Sequence, residues 1–412
     1  MVSAPSEGST AFRQPVLDGV RGMAIALVLI YHFAVLSGSQ QTGVDAAVFK
    51  LTGVGWAGVD LFFVLSGFLI TGILFDSKSA VAGYFRTFYA RRALRIAPAY
   101  YLLLFLLIFL LPLAVTTQDA ASAAVRDHFV WYGAYLTNVH FSADPVARPD
   151  FLLTSHLWSL AVEEQFYLLW PAVVFLLGRR QLMATCALFT VGALGLRSYL
   201  TLQGADPQIA HAVMPAHLDA LGLGGLVALA SRNPDDLRRL ARCAWPAVAV
   251  GGGGALALFF SRDELSPYDP WVQSVGYSAL AVLFGALILL ATTAAPGSIT
   301  RRVWTRPALG WLGKYSYALY LVHWPAATLL HRYAGITGLA PSVSGSTLLG
   351  ELAFTAAAFA LSASLALLSW HLWEQPFLKM KQWFPYAREA RRPVPAPAGI
   401  PALVSPAEAA LS

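Results

Sequence analysis

The 412-residue chain is 57% hydrophobic and only 12% charged, whereas an ordinary soluble domain has about 25% charged residues. This composition excludes a soluble globular protein, because the apolar residues fall in blocks long enough to cross a bilayer, which takes roughly 20 residues each. The net charge of +6 is not gathered on a basic face with interleaved aromatic residues. We therefore expect the lipid bilayer, and no nucleic acid, as a partner.

Ten apolar blocks predict an all-α polytopic membrane protein, a bundle of about ten transmembrane helices. The blocks are Val20 to Leu36, Ala57 to Phe75, Pro98 to Val115, Phe166 to Leu177, Leu182 to Leu200, Val213 to Ala230, Trp245 to Phe260, Val272 to Thr293, Leu309 to Leu330 and Leu349 to Trp370. The fourth block is short, so we expect its helix to begin earlier, between Trp158 and Glu164.

The distribution of cationic residues predicts the orientation in the cell membrane. If the N-terminus is inside, the segments between helices on that side hold 20 of the 28 Lys and Arg residues, and those on the other side hold six, Arg197 among them. This bias predicts a multi-pass protein with both termini in the cytoplasm. Residues 1–377 form the predicted transmembrane domain, and residues 378–412 form a cytoplasmic tail whose Pro- and Ala-rich end, from Arg391, is expected to be disordered.

The first predicted helix carries a polar seam of Asp18, Arg21 and His32. Arg21 and His32 are eleven positions apart, which is three helical turns plus about 20°, so they share a face and lie about 16 Å apart along the axis. An ionisable residue this deep in an apolar helix is expensive and indicates a functional site. The alternative is a histidine that hydrogen-bonds a neighbouring helix for structural reasons only.

Polar residues also lie in the second predicted helix. Asp60 and Ser66 are placed where a lipid-facing helix would not keep them. They are candidates for substrate contacts, although Ser66 could instead bond a backbone carbonyl while Gly67 packs closely against another helix.

A cluster of three arginines precedes Pro98. If this segment is helical, Arg91 and Arg95 share a face and Arg92 flanks it. Guanidinium groups bind phosphate oxygens bidentately, which suits a polyphosphate ligand at the membrane surface. Anionic lipid head groups and the orientation bias itself are the alternative explanation.

Two adjacent carboxylates, Glu163 and Glu164, open the fourth helix shortly after Trp158. Adjacent helical residues point about 100° apart, so one carboxylate can face a cavity while the other faces the interface. Glu163 could orient an imidazole or hold a substrate group. A carboxylate near a helix start is also favourable by itself. Cys186 and Cys243 have no histidine at ligand spacing, so we expect no metal.

Together these segments resemble the membrane-bound acyltransferase-3 family, which includes bacterial O-acyltransferases and macrolide O-acyltransferases. The resemblance covers Pro15 to about Phe377. It rests first on Leu17 to Gly22 with His32 eleven residues after Arg21. Five further segments follow in order: Gly58 to Phe68, Phe88 to Pro98, Leu157 to Tyr167, Gly313 to His323 and Glu374 to Phe377.

The resemblance implies an enzyme that transfers an acyl group from acyl-CoA, as the donor substrate, to a hydroxyl group. His32 is the expected general base, with Glu163 and Asp18 as further catalytic candidates. Arg21, Arg91, Arg92 and Arg95 are expected to bind the phosphates or pantetheine of coenzyme A. Expected substrate contacts are Asp60, Ser66, Trp158, Glu164, Tyr317 and His323, and His323 is the main rival imidazole.

For the acceptor we expect the sugar of a macrolide-type natural product, hence a role in antibiotic biosynthesis. This expectation is motivated by the Arg-rich, Lys-poor composition and by the interpretation of the chain as the stand-alone form of the family. The alternative acceptor is a cell-envelope glycan. An alternative of another class is a non-enzymatic transporter in which Asp18, Arg21 and His32 form a proton relay.

Overall fold

The computed structural model describes residues 15–37, 43–79, 83–114, 126–143, 153–334 and 346–386. Nearly all of these residues are helical, and no strand is found among them. The ten long helices are α1 (Pro15–Ser37), α2 (Gly58–Ser77), α3 (Tyr84–Phe105), α4 (Leu157–Leu176), α5 (Arg179–Leu202), α6 (Leu218–Ala230), α7 (Pro234–Arg262), α8 (Tyr277–Thr293), α9 (Pro307–Ala334) and α10 (Leu348–Leu368).

Short helical pieces extend or join these elements. They are Gly43–Gly53, Val54–Ala57, Leu106–Leu110, Leu111–Ala114, Phe129–Gly133, Thr137–Ala143, Pro207–Ala212, Met214–His217, Val272–Gly276, Ile299–Trp304, Ser369–Glu374, Gln375–Lys379 and Met380–Trp383.

The predicted class, an all-α polytopic membrane protein, is confirmed. Eight helices of the described chain are long and apolar enough to cross a membrane. The other two predicted spans correspond to α6, which is short, and to α9, whose apolar sequence is interrupted by polar residues around Lys314. The fourth helix does begin early, at Leu157, which brings Glu163 and Glu164 inside the helix.

The predicted boundary at Pro98 is wrong, because α3 starts at Tyr84 and runs through the proline. Proline lacks the N–H group that a helix interior uses, and it ordinarily kinks or breaks a helix. Here the Trp373 indole donates a hydrogen bond of 2.8 Å to the Pro98 carbonyl oxygen, which ties α3 to the segment after α10. The three arginines therefore do lie on one helix. The end of the predicted tail, from Arg391, lies outside the described residues.

Glycines let the central helices approach with backbone contact. A Cβ atom at Gly22 of α1 would lie 2.0 Å from the Leu309 carbonyl oxygen at the start of α9, and one at Gly313 would lie 1.9 Å from the Asp18 carbonyl oxygen. Such small-residue contacts drive helix association where lipid provides no hydrophobic force. As a result α1 and α9 are close neighbours. The same device joins α2 to α6, where Gly67 approaches Leu221.

The charge pattern predicted Arg197 in a segment between helices, but the residue lies inside α5. It is fully buried at the end of α5. Its guanidinium group donates to Asp219 at 2.6 Å, to Ser278 at 2.8 Å and to the Gln273 carbonyl oxygen at 2.8 Å. A buried charge persists only when it is paired and hydrogen-bonded in this way. Arg197 thus joins α5, α6 and α8 behind the candidate site.

Candidate active site

Two cavities adjoin along α1, one beside Arg21 and the other beside His32. We call them the arginine cavity and the histidine cavity. Their volumes are about 120 Å³ and about 260 Å³. Val59 of α2 and Tyr320 of α9 line both, so these two side chains form the wall between them. The polar seam predicted on α1 therefore serves two separate spaces.

The arginine cavity is positively charged. Its wall contains Arg21 from α1 and both Arg92 and Arg95 from α3, against one carboxylate, Glu163 from α4. Arg21 donates a hydrogen bond of 2.9 Å to Asp18, one turn earlier. Gathering three guanidinium groups in a partly buried space leaves an excess of positive charge that suits an anionic ligand.

Glu163 is held by hydroxyl groups rather than by an imidazole. The Ser66 hydroxyl donates to one carboxylate oxygen at 2.5 Å, and the Tyr167 hydroxyl donates to the other at 3.1 Å. Tyr167 also donates to Ser66 at 3.0 Å, and the Arg92 guanidinium lies 5.5 Å above the Tyr167 ring. These hydrogen bonds fix the side chains of Glu163, Ser66 and Tyr167 in the wall of the arginine cavity. Glu163 is the carboxylate that faces the arginines there.

Arg91 faces away from the arginine cavity. Its guanidinium group donates to the Phe384 carbonyl oxygen at 3.0 Å and lies 4.6 Å from the centre of the Tyr386 ring. Arg86 lies over Phe384 in a similar way. The outer arginines of this helix therefore hold the last described residues of the chain, while Arg92 and Arg95 face inward.

The histidine cavity is lined mainly by aromatic rings. Its lining residues are Tyr31, His32, Val35, Trp56, Val59, Asp60, Phe141, Ser155, His156, Trp158, Gln208, His211, Tyr268, Tyr277, Tyr320 and Trp324. Thirteen of these sixteen side chains also carry a nitrogen or oxygen atom, so the cavity offers both ring faces and hydrogen-bonding groups to a ligand.

His32 contacts a second histidine. Its Nδ1 atom lies 3.0 Å from Nε2 of His323, which is fully buried on α9. The His32 ring also packs against Trp324, with 4.7 Å between ring centres. A third imidazole, His156, lies just before α4 with its ring centre 5.3 Å from that of His323. The described chain therefore collects three imidazole rings at one point beside the cavity.

Asp60 is buried and lines the same cavity. One carboxylate oxygen lies 3.5 Å from Nδ1 of His217, and the other has no hydrogen-bond partner among the described residues. His217 is oriented by the His211 carbonyl oxygen at 2.8 Å. Burial lowers the pKa of His211, which lies between α5 and α6, to about 3, so its ring is neutral. An unpartnered buried carboxylate oxygen is costly unless a ligand meets it.

The dividing wall is held in place by hydrogen bonds. The Tyr320 hydroxyl donates to the His156 carbonyl oxygen at 2.7 Å and is also hydrogen-bonded to Ser159. The Phe62 ring meets the Tyr320 ring edge to face, with 6.3 Å between centres. These contacts fix the Tyr320 side chain between the two cavities.

Comparison with known proteins assigns the family. The family described as "Acyltransferase domain" matches residues 15–370. The chain belongs to this acyltransferase family. No group of His, Cys, Asp and Glu residues in the described ranges has metal-binding geometry.

Two relatives bear on the acceptor of this acyltransferase. The chain is 30% identical over 340 residues to the O-acetyltransferase OatA of Staphylococcus aureus, covering 77% of this chain and 51% of that protein. It is 30% identical over 330 residues to the peptidoglycan O-acetyltransferase OatA of Listeria monocytogenes, covering 76% and 49%. The chain thus spans about half the length of these relatives. No solved structure is significantly similar to it.

These relatives do not support the expected macrolide acceptor. Their names specify O-acetylation, and one specifies peptidoglycan, so they favour the cell-envelope alternative. The Arg-rich composition behind the macrolide expectation reflects base composition of a genome and carries no information about the acceptor.

The predicted site residues divide between the two cavities. Arg21, Arg92, Arg95, Ser66, Glu163 and Tyr317 line the arginine cavity, and His32, Asp60 and Trp158 line the histidine cavity. Four residues line neither cavity: Asp18 pairs with Arg21, Arg91 donates to the Phe384 carbonyl oxygen, His323 contacts His32, and Glu164 follows Glu163 on α4.

Most of the cavity residues were not singled out from the sequence, and three of them are central to the site. His156 precedes the Leu157 to Tyr167 motif, Tyr320 is within the Gly313 to His323 motif, and His211 is in the short segment between α5 and α6. Tyr320 was visible within a motif, and His156 stood directly before one. His211 carried no signal, because only the fold brings that segment back over Trp158, with 4.4 Å between ring centres.

Proposed function

We propose that this protein is an O-acyltransferase that moves an acyl group, acetyl by analogy with its relatives, from acyl-CoA to a hydroxyl group of a cell-envelope glycan. The observation that carries the proposal is the pair of adjoining cavities, one cationic and one lined by imidazole and aromatic groups, on the same helix. Such an arrangement suits a polyanionic donor on one side and a sugar on the other.

The donor binds at the arginine cavity. Arg21, Arg92 and Arg95 contact the phosphates of coenzyme A with charge-assisted hydrogen bonds. A volume of about 120 Å³ is below the roughly 300–1,000 Å³ of pockets for drug-sized ligands. The narrow acyl-pantetheine end therefore enters toward Tyr320, and the nucleotide remains at the mouth.

The reaction takes place where the cavities meet. The acceptor hydroxyl oxygen attacks the thioester carbonyl carbon while His32 removes the hydroxyl proton. The carbon–sulfur bond then breaks, and the protonated His32 returns the proton to the departing coenzyme A thiolate. A positioned base of this kind contributes about 10² to 10⁴ in rate.

The topology of the proposal follows the charge bias. Both termini face the cytoplasm, so the arginine cavity opens toward cytoplasmic acyl-CoA and the histidine cavity opens toward the other side. The acyl group is handed over inside the protein, and neither substrate crosses the bilayer. Aromatic rings such as Trp158 and Tyr268 stack on the apolar face of a pyranose ring.

The size of the histidine cavity favours a glycan over a macrolide. A volume of about 260 Å³ accommodates one sugar unit rather than a large lactone, given the range typical of drug-sized ligands. The transporter alternative needs Asp18, Arg21 and His32 to exchange protons. However, Arg21 and His32 line separate cavities, and His32 contacts the imidazole of His323. This arrangement does not favour a proton relay through the three residues.

The experiment compares cell envelopes from a host without this O-acylation that expresses either the wild-type chain or His32→Ala. Base-labile acetate is measured on purified peptidoglycan and on the other envelope glycans, and culture extracts are profiled for acylated small molecules. We expect base-labile acetate on a glycan in the wild type only. An unchanged envelope together with a newly acylated small molecule would overturn the glycan assignment but retain the transferase.

A matched control keeps the comparison interpretable. His331→Phe changes an exposed histidine on α9 that packs against Phe354 and lines neither cavity. It should acetylate the envelope as the wild type does. If His331→Phe were as inactive as His32→Ala at equal membrane abundance, the loss in His32→Ala would not be specific to the histidine cavity and would give no support to His32 as the base.

A further inference from the structure

The hydrogen bonds around His323 determine which of its nitrogens carries the proton. Its Nδ1 atom lies 2.7 Å from the Tyr320 carbonyl oxygen and 3.1 Å from the Leu319 carbonyl oxygen. Carbonyl oxygens only accept hydrogen bonds, so Nδ1 must be the N–H donor. In a neutral imidazole the other nitrogen then carries a lone pair. Nε2 of His323 is therefore an acceptor, and it points at His32.

The same logic passes to His32. Its Nδ1 atom lies 3.0 Å from this acceptor, so a hydrogen bond between them requires a proton on Nδ1 of His32. Nε2 of neutral His32 then holds the lone pair.

We propose that His323 is a positioning residue that locks His32 in the tautomer with a free lone pair on Nε2, and that His323 is not itself the base. This rests on the proposed function, in which His32 removes the acceptor proton. His323 cannot serve as the base while Nε2, its only lone pair, accepts from His32. The side chain first considered a rival of His32 is thus its orienting partner.

A neutral orienting group fits this location. Histidine bases are commonly oriented by a carboxylate, which must be desolvated when it is buried. His323 and the residues beside it are buried, with Leu319 and Ala327 fully inaccessible. An imidazole anchored on two backbone carbonyl oxygens supplies the acceptor without placing a charge at this depth, which is the costly alternative inside a membrane.

The first test uses two substitutions that differ in one property. His323→Gln keeps an acceptor oxygen near the place of Nε2, whereas His323→Phe keeps a ring and removes the acceptor. We expect His323→Phe to lower kcat about 10- to 100-fold, less than the 10² to 10⁴ expected for loss of the base itself. The Michaelis constants should change less than about threefold, and His323→Gln should recover most of the lost kcat. Equal kcat values for the two variants would overturn the proposal.

The second test reads the tautomer without any substrate. Solid-state NMR of purified protein labelled with ¹⁵N-histidine distinguishes protonated from unprotonated ring nitrogens, and His32→Asn identifies the His32 signals by difference. We expect Nδ1 of His32 to be protonated and Nε2 unprotonated, with the pattern retained in His331→Phe and lost in His323→Phe. The opposite tautomer in the wild type would refute the proposal. This readout is independent of acyl transfer, so it separates failure of the positioning role from failure of the proposed function.

Discussion

At the scale of single residues, the inward and outward faces of α3 separate arginines that look equivalent in the sequence. Arg92 and Arg95 line the arginine cavity, and Arg91 contacts Phe384 and Tyr386. We predict that Arg92→Ala or Arg95→Ala raises the Michaelis constant for acyl-CoA about 10- to 150-fold, because a charge-assisted hydrogen bond is worth about 1.5–3 kcal/mol. The Michaelis constant for the acceptor should change little. Steady-state kinetics in detergent or proteoliposomes measures both constants.

Two further variants make this comparison sharp. Arg91→Ala should raise the donor constant less than the inward pair does, and Arg238→Ala, whose side chain is 72% exposed, should leave both constants unchanged. Donor affinity should also fall with salt, since phosphate contacts are screened. If Arg91→Ala and Arg95→Ala raised the Michaelis constant for acyl-CoA equally, the direction in which these side chains point would not determine donor binding.

The sequence motifs name nine residues that line one of the two cavities, but they do not identify the partners of these residues. The eleven-residue spacing was enough to put Arg21 and His32 on one face of a helix. Nothing in the sequence indicated that Glu163 accepts hydrogen bonds from Ser66 and Tyr167 rather than from an imidazole. Contacts between helices depend on rotation and depth, which a periodic pattern in one helix does not contain.

At the scale of helices, the contact of α1 with α9 brings His32 to His323, and it depends on glycine. A Cβ atom at Gly313 would lie 1.9 Å from the Asp18 carbonyl oxygen, whereas one at Gly310 of the same helix meets nothing within 4 Å. We predict that Gly313→Ala lowers stability by about 1–3 kcal/mol, the usual cost of overpacking, and lowers activity as the helices separate. Thermal unfolding in detergent measures the loss.

The matched variant is Gly310→Ala. Alanine is favoured over glycine in a helix interior by about 1 kcal/mol, so this change should leave the melting temperature equal or slightly higher and the activity intact. A loss of stability as large as that of Gly313→Ala would argue that helix propensity, and not close approach, governs this region.

Hydropathy anticipated the helices better than their ends. All ten blocks correspond to helices, but the Pro98 boundary was wrong, because α3 begins at Tyr84 and continues through the proline. The predicted position of Arg197 was also wrong. A charge near the end of a span is normally solvated, and only the fold supplies Asp219 and Ser278 as buried partners.

At the scale of the whole molecule, the proposed orientation places the two ends of α7 on opposite sides of the membrane. Asp235 lies at its start and Glu264 just after its end, and both are exposed. In a Cys243→Ala background, we predict that a membrane-impermeant maleimide labels Glu264→Cys in intact cells and labels Asp235→Cys only after the membrane is opened. Cys186 is buried and should not interfere. Labelling of Asp235→Cys alone in intact cells would invert the topology and put the donor cavity on the outer side.

The central claim is that His32 is the base of an acyl transfer between the two cavities, and it is tested most directly by the turnover of purified His32→Ala. Acyl-CoA and a sugar acceptor are supplied together, and donor binding is measured on the same preparation. The account predicts a rate lower by about 10² to 10⁴ with donor affinity retained, because the arginines that bind the donor line a separate cavity. A variant that keeps more than about a tenth of wild-type turnover would contradict it.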